Sequence, residues 1–125
     1  MIQSNISRFI LTLIISLSLM GCEKDNELVN QSRILGKWIS VDKSDTLEFA
    51  DKDNFYKSNS TMRHDHYDYT LYDDSIKIGY NGILYVLVLP TKHRYSLNGD
   101  QLTIDFSNRN CYGFGKQSIT YIKGK

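Results

Sequence analysis

The sequence predicts an all-β domain, an antiparallel meander closed into an eight- or nine-stranded barrel, with a two-sheet β-sandwich as the alternative. Apolar and polar residues alternate over short segments such as 101–106, and no segment past residue 33 keeps helical spacing over three turns. The connections are short and rich in turn-forming residues, so consecutive strands should be neighbours. Closing such a meander into a barrel leaves no exposed sheet edge.

Nine segments are predicted to be strands. They span residues 36–41, 45–50, 54–60, 66–72, 75–80, 83–89, 93–97, 101–106 and 117–123. Alternation gives most of them one apolar and one solvated face, as expected of antiparallel strands that cover a core on one side. The turns carry pairs such as Asp73-Asp74 and Asn98-Gly99, which tolerate positive φ or bond to their own backbone.

The segment 83–89 departs from this alternation. Leu84, Val86 and Val88 add an apolar stripe on its second face, and Pro90 ends it. A strand buried on both sides has this pattern. We expect Ile34-Leu35 or a loop to cover the stripe, and a partner-binding patch on the barrel exterior is the alternative.

The N-terminal segment predicts export and lipidation. Residues 1–8 are polar with one charge, Arg8, and residues 9–20 are apolar or small hydroxyl residues, too short a run to span a bilayer. Leu19-Met20-Gly21-Cys22 resembles the lipobox of bacterial lipoproteins. The resemblance implies a signal peptide over 1–21, cleavage after Gly21, a diacylglyceryl group on the Cys22 sulfur and further acylation, for instance by palmitate, at the new terminus. An ordinary secretory signal with an incidental cysteine is the alternative.

The next residues, 22–32, are predicted to be the lipidated cysteine and a polar tether to a folded domain over 33–125. The acidic cluster directly after Cys22 resembles the export signal of Bacteroidetes-type surface lipoproteins. This resemblance implies a lipid-anchored protein of the cell envelope, in the outer membrane, facing either the periplasm or the cell surface.

Charge and cysteine content agree with an exported protein. The chain has 15 basic and 14 acidic side chains, and loss of residues 1–21 removes Arg8 alone, leaving a formally neutral domain. A neutral domain argues against nucleic acid or anionic lipid as the main partner. Cys111 would be the one remaining thiol, and we expect it to be buried and inert, with a redox or dimer-forming role as the alternative.

A second resemblance concerns the start of the folded domain. Gly36-Lys37-Trp38 opens the first predicted strand and resembles the Gly-x-Trp signature of lipocalins and of lipocalin-like domains in bacterial lipoproteins. The hairpin block 95–104 is also similar to that group. The resemblance implies a barrel over about 33–125, in which the tryptophan closes one end and packs on an arginine near the last strand. Here the last predicted strand contains no arginine, and Lys123 is its cation.

The inner face of the barrel is the main candidate binding region. By alternation, the inward set is Trp38, Leu47, Phe49, Tyr67, Tyr69, Leu71, Ile76, Ile78, Tyr80, Tyr85, Leu87, Tyr95, Leu97, Leu102, Ile104, Phe106, Ile119 and Tyr121. A buried phenol needs a hydrogen-bond partner, so the tyrosines indicate a partly hydrated cavity. We predict a site for a small amphipathic molecule, such as a lipid, a haem-like ring or a sugar, lined by Trp38, Tyr69, Tyr80, Tyr85 and Tyr95.

The alternative is a barrel filled by its own side chains, with tyrosine hydroxyls at the rim. Protruding loops at 58–66 and 107–116 would then make the domain a protein-interaction module, such as an accessory subunit or an inhibitor of a cell-wall-degrading enzyme. In both cases we expect binding to a ligand or envelope protein rather than catalysis.

Metal-binding and catalytic signals are sparse. His64, His66 and Asp68 share one strand face at spacing suited to zinc or copper(II), and His93 is a possible fourth ligand. Because Tyr67, Tyr69 and Leu71 are predicted to point into the barrel, we expect the histidines to face solvent and to form no metal site. The chain has no nucleophile-elbow motif and no phosphate-binding glycine loop before a helix, so we expect neither an enzyme nor a cofactor.

Overall fold

The computed structural model describes residues 22–59, 64–83 and 87–125, without the side chains of 22–27. A helix, α1 (Cys22–Arg33), precedes eight strands. They are β1 (Gly36–Ser40), β2 (Asp45–Phe49), β3 (Asn54–Asn59), β4 (His64–Leu71), β5 (Ser75–Tyr80), β6 (Thr91–Asn98), β7 (Gln101–Asp105) and β8 (Ser118–Lys123). Each strand pairs with the next one, and β8 pairs antiparallel with β1, which confirms the predicted closed meander barrel.

Alternation determines which side chains enter the barrel. Fully or nearly fully buried are Trp38, Leu47, Phe49, Tyr67, Tyr69, Leu71, Ile76, Ile78, Tyr95, Leu102, Ile104, Phe106 and Tyr121, as predicted. Tyr80, Leu97 and Ile119 pack against this core while half-buried. Phe55 and His93 are also buried although the prediction omitted them. The inner face is therefore largely readable from the two-residue period.

The predicted strand 83–89 is wrong. Ser75 pairs with Arg94 and Ile78 with Thr91, so β5 and β6 are direct neighbours and 81–90 is the connection between them. Residues 84–86, and with them Leu84, Tyr85 and Val86, lie outside the described residues.

The covered stripe itself stays a prediction, because two of its three residues, Leu84 and Val86, lie outside the described residues, whereas the described residues of the opposite face are exposed. Ile83 and Leu89 are 90% and 79% exposed, and Leu87 is fully exposed rather than inward. Val88 is half-buried. Ile34, the expected cover, is instead buried in the core beside the start of the barrel. The eight strands close the barrel, and the described residues of 83–89 lie outside its sheet.

Residues 22–33 form a helix and not an extended tether. Glutamate, lysine, leucine, glutamine and arginine are good helix formers, and Arg33 in the last turn complements the helix dipole. The amide of Asn30 donates to the Tyr95 hydroxyl at 3.2 Å, and Ile34 follows as a buried residue. The helix therefore docks on the barrel. Within the described residues, no helix has the length and apolar character needed to cross a membrane.

The connections differ between the two ends of the barrel. One end, here called the helix end, carries α1, the turns at 50–53, 72–74 and 99–100, and the C-terminus. Gly99 has φ 58°, which suits the tight β6–β7 turn. The opposite end, the loop end, carries the β1–β2 turn, the β3–β4 connection and the two longest connections, 81–90 and 106–117.

Trp38 closes the helix end. Its indole Nε1 donates to the Ile34 carbonyl oxygen at 2.7 Å, and the Lys123 ammonium lies 4.7 Å from the ring centroid. Lys123 also donates to the carbonyl oxygens of Arg33 and Leu35. Lys123 thus occupies the position beside the tryptophan for which the lipocalin resemblance implies an arginine.

Candidate functional site

The barrel interior is packed with aromatic rings. Phe55 lies between Phe49 and Tyr67, with ring centroids 4.9 and 5.0 Å away, and Phe106 stacks on Phe114 at 4.5 Å. Rings at these distances are in contact. The described side chains therefore occupy much of the space that the sequence assigned to a ligand.

The predicted lining residues do not converge on one space. Trp38 and Tyr69 are buried in the core, and the Tyr69 hydroxyl donates to the Asp51 carbonyl at the helix end. The Tyr95 hydroxyl donates to the Tyr72 carbonyl at the same end. Tyr80 lies instead at the loop end, half-buried, with its hydroxyl 3.4 Å from an Asp65 carboxylate oxygen. The fifth residue, Tyr85, lies outside the described residues.

A segment of the 106–117 connection closes the loop end. We call Cys111, Tyr112, Gly113 and Phe114 the plug. The Tyr67 hydroxyl donates to the Tyr112 carbonyl at 2.9 Å, and Phe114 packs against the core. Gly113 has φ 85°, and a Cβ built there would lie 2.2 Å from the Tyr67 hydroxyl oxygen. The plug therefore needs glycine at this position both for its backbone conformation and for the close approach of Tyr67.

Lys57 fastens the plug to the barrel wall. Its ammonium donates to the Gly113 carbonyl at 2.7 Å, lies 3.5 Å from an Asp45 carboxylate oxygen and stands 5.1 Å from the Phe114 ring centroid. Charge-assisted hydrogen bonds are stronger than neutral ones. Lys57 thus joins β2, β3 and the plug.

Cys111 is buried within the plug, which confirms the expected burial of this cysteine. Burial raises the pKa of its thiol to about 11, while a side-chain hydrogen bond with Thr91 opposes that shift. The thiolate is the reactive form of cysteine. While the plug is closed, the thiol is therefore unreactive at neutral pH.

Tyr121 carries an unsatisfied hydroxyl. Its side chain is fully buried, and the hydroxyl has no hydrogen-bond partner among the described residues. Burial raises the pKa of this phenol far above its usual value, and the nearby Asp45 carboxylate raises it further. A buried polar atom without a partner is costly, so this atom is a point at which a bound molecule or water gains a hydrogen bond.

The histidines of β4 lie on the outer face. His64 Nδ1 is 3.1 Å from the Ser58 hydroxyl oxygen, and His66 Nε2 is 2.8 Å from the Asn54 side-chain oxygen. Both imidazole rings stack on Tyr56, with centroids 4.8 and 4.9 Å from its centroid. Both imidazole rings are therefore already in contact with side chains of the protein.

The four candidate metal ligands do not form one site. Asp68 shares the outer face with His64 and His66, whereas His93 is buried on the inner face beside Phe106. Among the described residues, no group of three or more histidine, cysteine, aspartate or glutamate side chains is placed to hold a metal ion.

Sequence reasoning missed a basic depression on the barrel flank. It is lined by Ser75, Lys92, His93, Arg94, Asn108 and Arg109. Lys92 and Arg94 alternate with inward residues on β6, so their common outward direction was readable from the two-residue period. The contributions of β5 and of the 106–117 connection depend on the fold and not on a local pattern.

Comparison of this chain with protein-family models, with curated proteins and with solved structures finds no match.

Proposed function

We propose that this chain is a lipid-anchored protein of the cell envelope whose lipocalin-like barrel acts as a protein-interaction module. The acyl group is on Cys22, in the outer membrane, and the loop end of the barrel binds an envelope protein partner. The observation that carries the proposal is the separation of the two ends: the longest connections lie opposite the helix that follows Cys22. Binding and not catalysis is the proposed activity, and nucleic acid is not a proposed partner.

Anchoring is supported by the apolar N-terminal segment and its Gly21-Cys22 end. The 12-residue helix from Cys22 to Arg33 spans about 18 Å at 1.5 Å per residue. An acyl chain at the start of this helix holds the helix end of the barrel towards the membrane and directs the loop end away from it.

Binding of a protein partner is supported by exposed apolar side chains at the loop end. Ile83, Leu87 and Leu89 project from the 81–90 connection, and Tyr112 is partly exposed on the plug. Grouped apolar side chains on a surface rimmed by polar residues are typical of interaction sites. The packed interior also favours an interaction module over a carrier of small molecules.

The partner is tested by cross-linking in intact cells followed by affinity purification of the tagged protein. The variant Leu87→Asp, Leu89→Asp should lose the cross-linked species because it places charges in the proposed contact. Leu28→Asp is the matched control: Leu28 is an exposed leucine at the helix end, and its variant should keep the partner. Equal recovery with both variants would contradict the loop-end assignment.

Anchoring has a separate test in palmitate labelling and membrane fractionation of the wild type and Cys22→Ser. The wild type should incorporate label and sediment with membranes, and the variant should do neither. Label that persists in the variant would exclude Cys22 as the acylated residue.

A small amphipathic ligand inside the barrel is the second candidate function, and the unpartnered Tyr121 hydroxyl is the observation in its favour. Native and denaturing mass spectrometry of the purified protein is its test. A small molecule released on denaturation would support it, and a mass without added ligand would favour the interaction module alone.

A further inference from the structure

We propose that the basic depression on the barrel flank binds a phosphate group, either as free inorganic phosphate or as the phosphomonoester of a lipid headgroup. The depression lies between β5, β6 and the beginning of the 106–117 connection. It is distinct from the apolar side chains of the loop end, so this inference goes beyond the proposed protein partner.

The first argument is the arrangement of like charges on neighbouring strands. Lys77 and Lys92 are directly opposite each other in the β5–β6 register, and Arg94 follows two residues later on the same outer face. Like charges directly opposite each other on paired strands destabilise a sheet. Arg109 adds a further cation at the edge of the depression. Lys77 lines a separate depression that also contains Asp53 and Asp68, so an anion in the basic depression would offset the repulsion from the side of Lys92, Arg94 and Arg109.

The second argument is that protein carboxylates neutralise these cations only weakly. Among pairs of described residues, the one ion pair closer than 4 Å joins Lys57 to Asp45, at the loop end. Asp105 is directly opposite Arg94 in the β6–β7 register and interacts with its charge, but the Asp105 Oδ1 already accepts hydrogen bonds from the backbone and hydroxyl of Ser107. The side chains that line the depression include no carboxylate.

The third argument is the chemistry of the lining groups. Lys92, Arg94, Arg109 and Asn108 provide ammonium, guanidinium and amide donors, and Ser75 adds a hydroxyl. A phosphate group has several acceptor oxygens and close to two negative charges, so it matches several cationic donors around one concave surface. A carboxylate, with two oxygens and one charge, would leave part of this set unused.

The position of Arg109 agrees with this assignment. The pKa of the buried His93, which forms the inner limit of the depression, is lowered by burial and then by the charge of Arg109. Arg109 also lines the depression, so its charge is available to a bound anion there.

The test is a thermal-shift and calorimetric titration of the full chain in detergent with inorganic phosphate. Potassium chloride at equal ionic strength is the reference. Phosphate should raise the unfolding midpoint more than chloride does. The variant Arg94→Gln, Arg109→Gln should bind phosphate at least about tenfold more weakly, because it removes two charge-assisted contacts. Lys52→Gln, which removes a lysine from an exposed turn at the helix end, should bind as the wild type does.

Vesicles distinguish the two sources of the phosphate group. If phosphatidylcholine vesicles containing phosphatidic acid bind the protein through Arg94 and Arg109 more tightly than free phosphate does, a lipid headgroup is the ligand. If free phosphate binds and these vesicles add nothing over pure phosphatidylcholine, a soluble phosphate is the ligand. Equal effects of phosphate and chloride, or unchanged phosphate binding by the double variant, would overturn the proposal.

Circular dichroism of the double variant is the folding control: a spectrum like that of the wild type assigns a loss of binding to the two removed charges. The variant Leu87→Asp, Leu89→Asp should retain phosphate binding. Failure of the proposed protein partner and failure of the phosphate site are therefore distinguishable.

Discussion

At the helix end of the barrel, Lys123 combines three interactions in one side chain. Its ammonium group faces the Trp38 ring at 4.7 Å and donates to two backbone carbonyls of the segment that joins the helix to β1. The helix, the first strand and the last strand therefore meet at one charge. A lysine offers a compact ammonium with three donors, whereas an arginine would present a planar fork.

Replacing Lys123 by methionine should lower the free energy of unfolding by about 1–3 kcal/mol, because a cation–π contact and charge-assisted hydrogen bonds are lost. Urea denaturation followed by tryptophan fluorescence measures the change, since Trp38 is the one tryptophan. Lys125→Met, at the exposed C-terminus, is the control and should leave stability unchanged. Equal midpoints for the two variants would exclude a structural role of the Lys123 charge.

Two buried tyrosines should respond oppositely to loss of the hydroxyl. Tyr67→Phe removes a hydrogen bond to the Tyr112 carbonyl and should cost about 1 kcal/mol. Tyr121→Phe removes a buried hydroxyl that has no partner among the described residues, so stability should stay the same or rise. Chemical denaturation of both variants checks the difference. A clear loss of stability in Tyr121→Phe would indicate that a bound water or ligand satisfies this hydroxyl.

His93 should make stability depend on pH. Burial, followed by the charge of Arg109, holds its pKa below the usual value in the folded state. The unfolded chain therefore binds more protons than the folded chain below the unfolded pKa of about 6.5. Stability should fall as the pH drops through that value and level off below the folded-state pKa.

Urea midpoints from about pH 7 to about pH 5 measure this dependence. His93→Gln should show a shallower slope than the wild type. An unchanged slope in His93→Gln would assign the pH dependence to other groups.

Among the elements, the plug depends on hydrogen bonds that single substitutions can remove, so its opening should be measurable. Lys57→Met removes the charge-assisted bond to the Gly113 carbonyl and the ion pair with Asp45. Loss of such a bond costs about 1.5–3 kcal/mol, so the population of the open plug should rise on the order of tenfold or more. Cys111, a buried residue of the plug itself, should then react faster with a thiol reagent.

The reaction rate with a chromogenic disulfide, in the Cys22→Ser background, measures this opening. Lys52→Met is the control and should keep the slow wild-type rate. A rate that does not change in Lys57→Met would mean that the plug is held mainly by the packing of Phe114.

For the strands with regular alternation, the first and last residues predicted from the sequence lie within two residues of those in the structure. The segment 83–89 was not predictable, because an uninterrupted apolar run has no period that distinguishes a strand from an exposed loop. The helix from Cys22 to Arg33 was missed because polar composition indicated a tether, although its individual residues favour helix. The basic depression was missed because it combines distant segments through the register of β5 and β6.

For the whole molecule, the two ends carry different chemistry. The helix end has short turns, satisfied tyrosine hydroxyls and the Trp38–Lys123 contact, whereas the loop end has the plug and the exposed apolar residues of 81–90. The phosphate site proposed above lies on the flank, between the two ends. The proposed anchoring, partner binding and anion binding would therefore use three separate regions of the barrel.

The pairing of β1 with β8 also determines when the barrel can close during synthesis and export. Trp38 on β1 is opposite Lys123 on β8, so the first and last strands of the sheet are hydrogen-bonded neighbours. A polypeptide that emerges from the ribosome, or from a translocation channel, cannot complete this sheet until β8 has emerged. Contacts between such distant segments also form slowly. The N-terminal segment predicts that the chain crosses a membrane in an unfolded state. Late closure of the barrel is compatible with such a crossing, because the barrel cannot close before β8 pairs with β1.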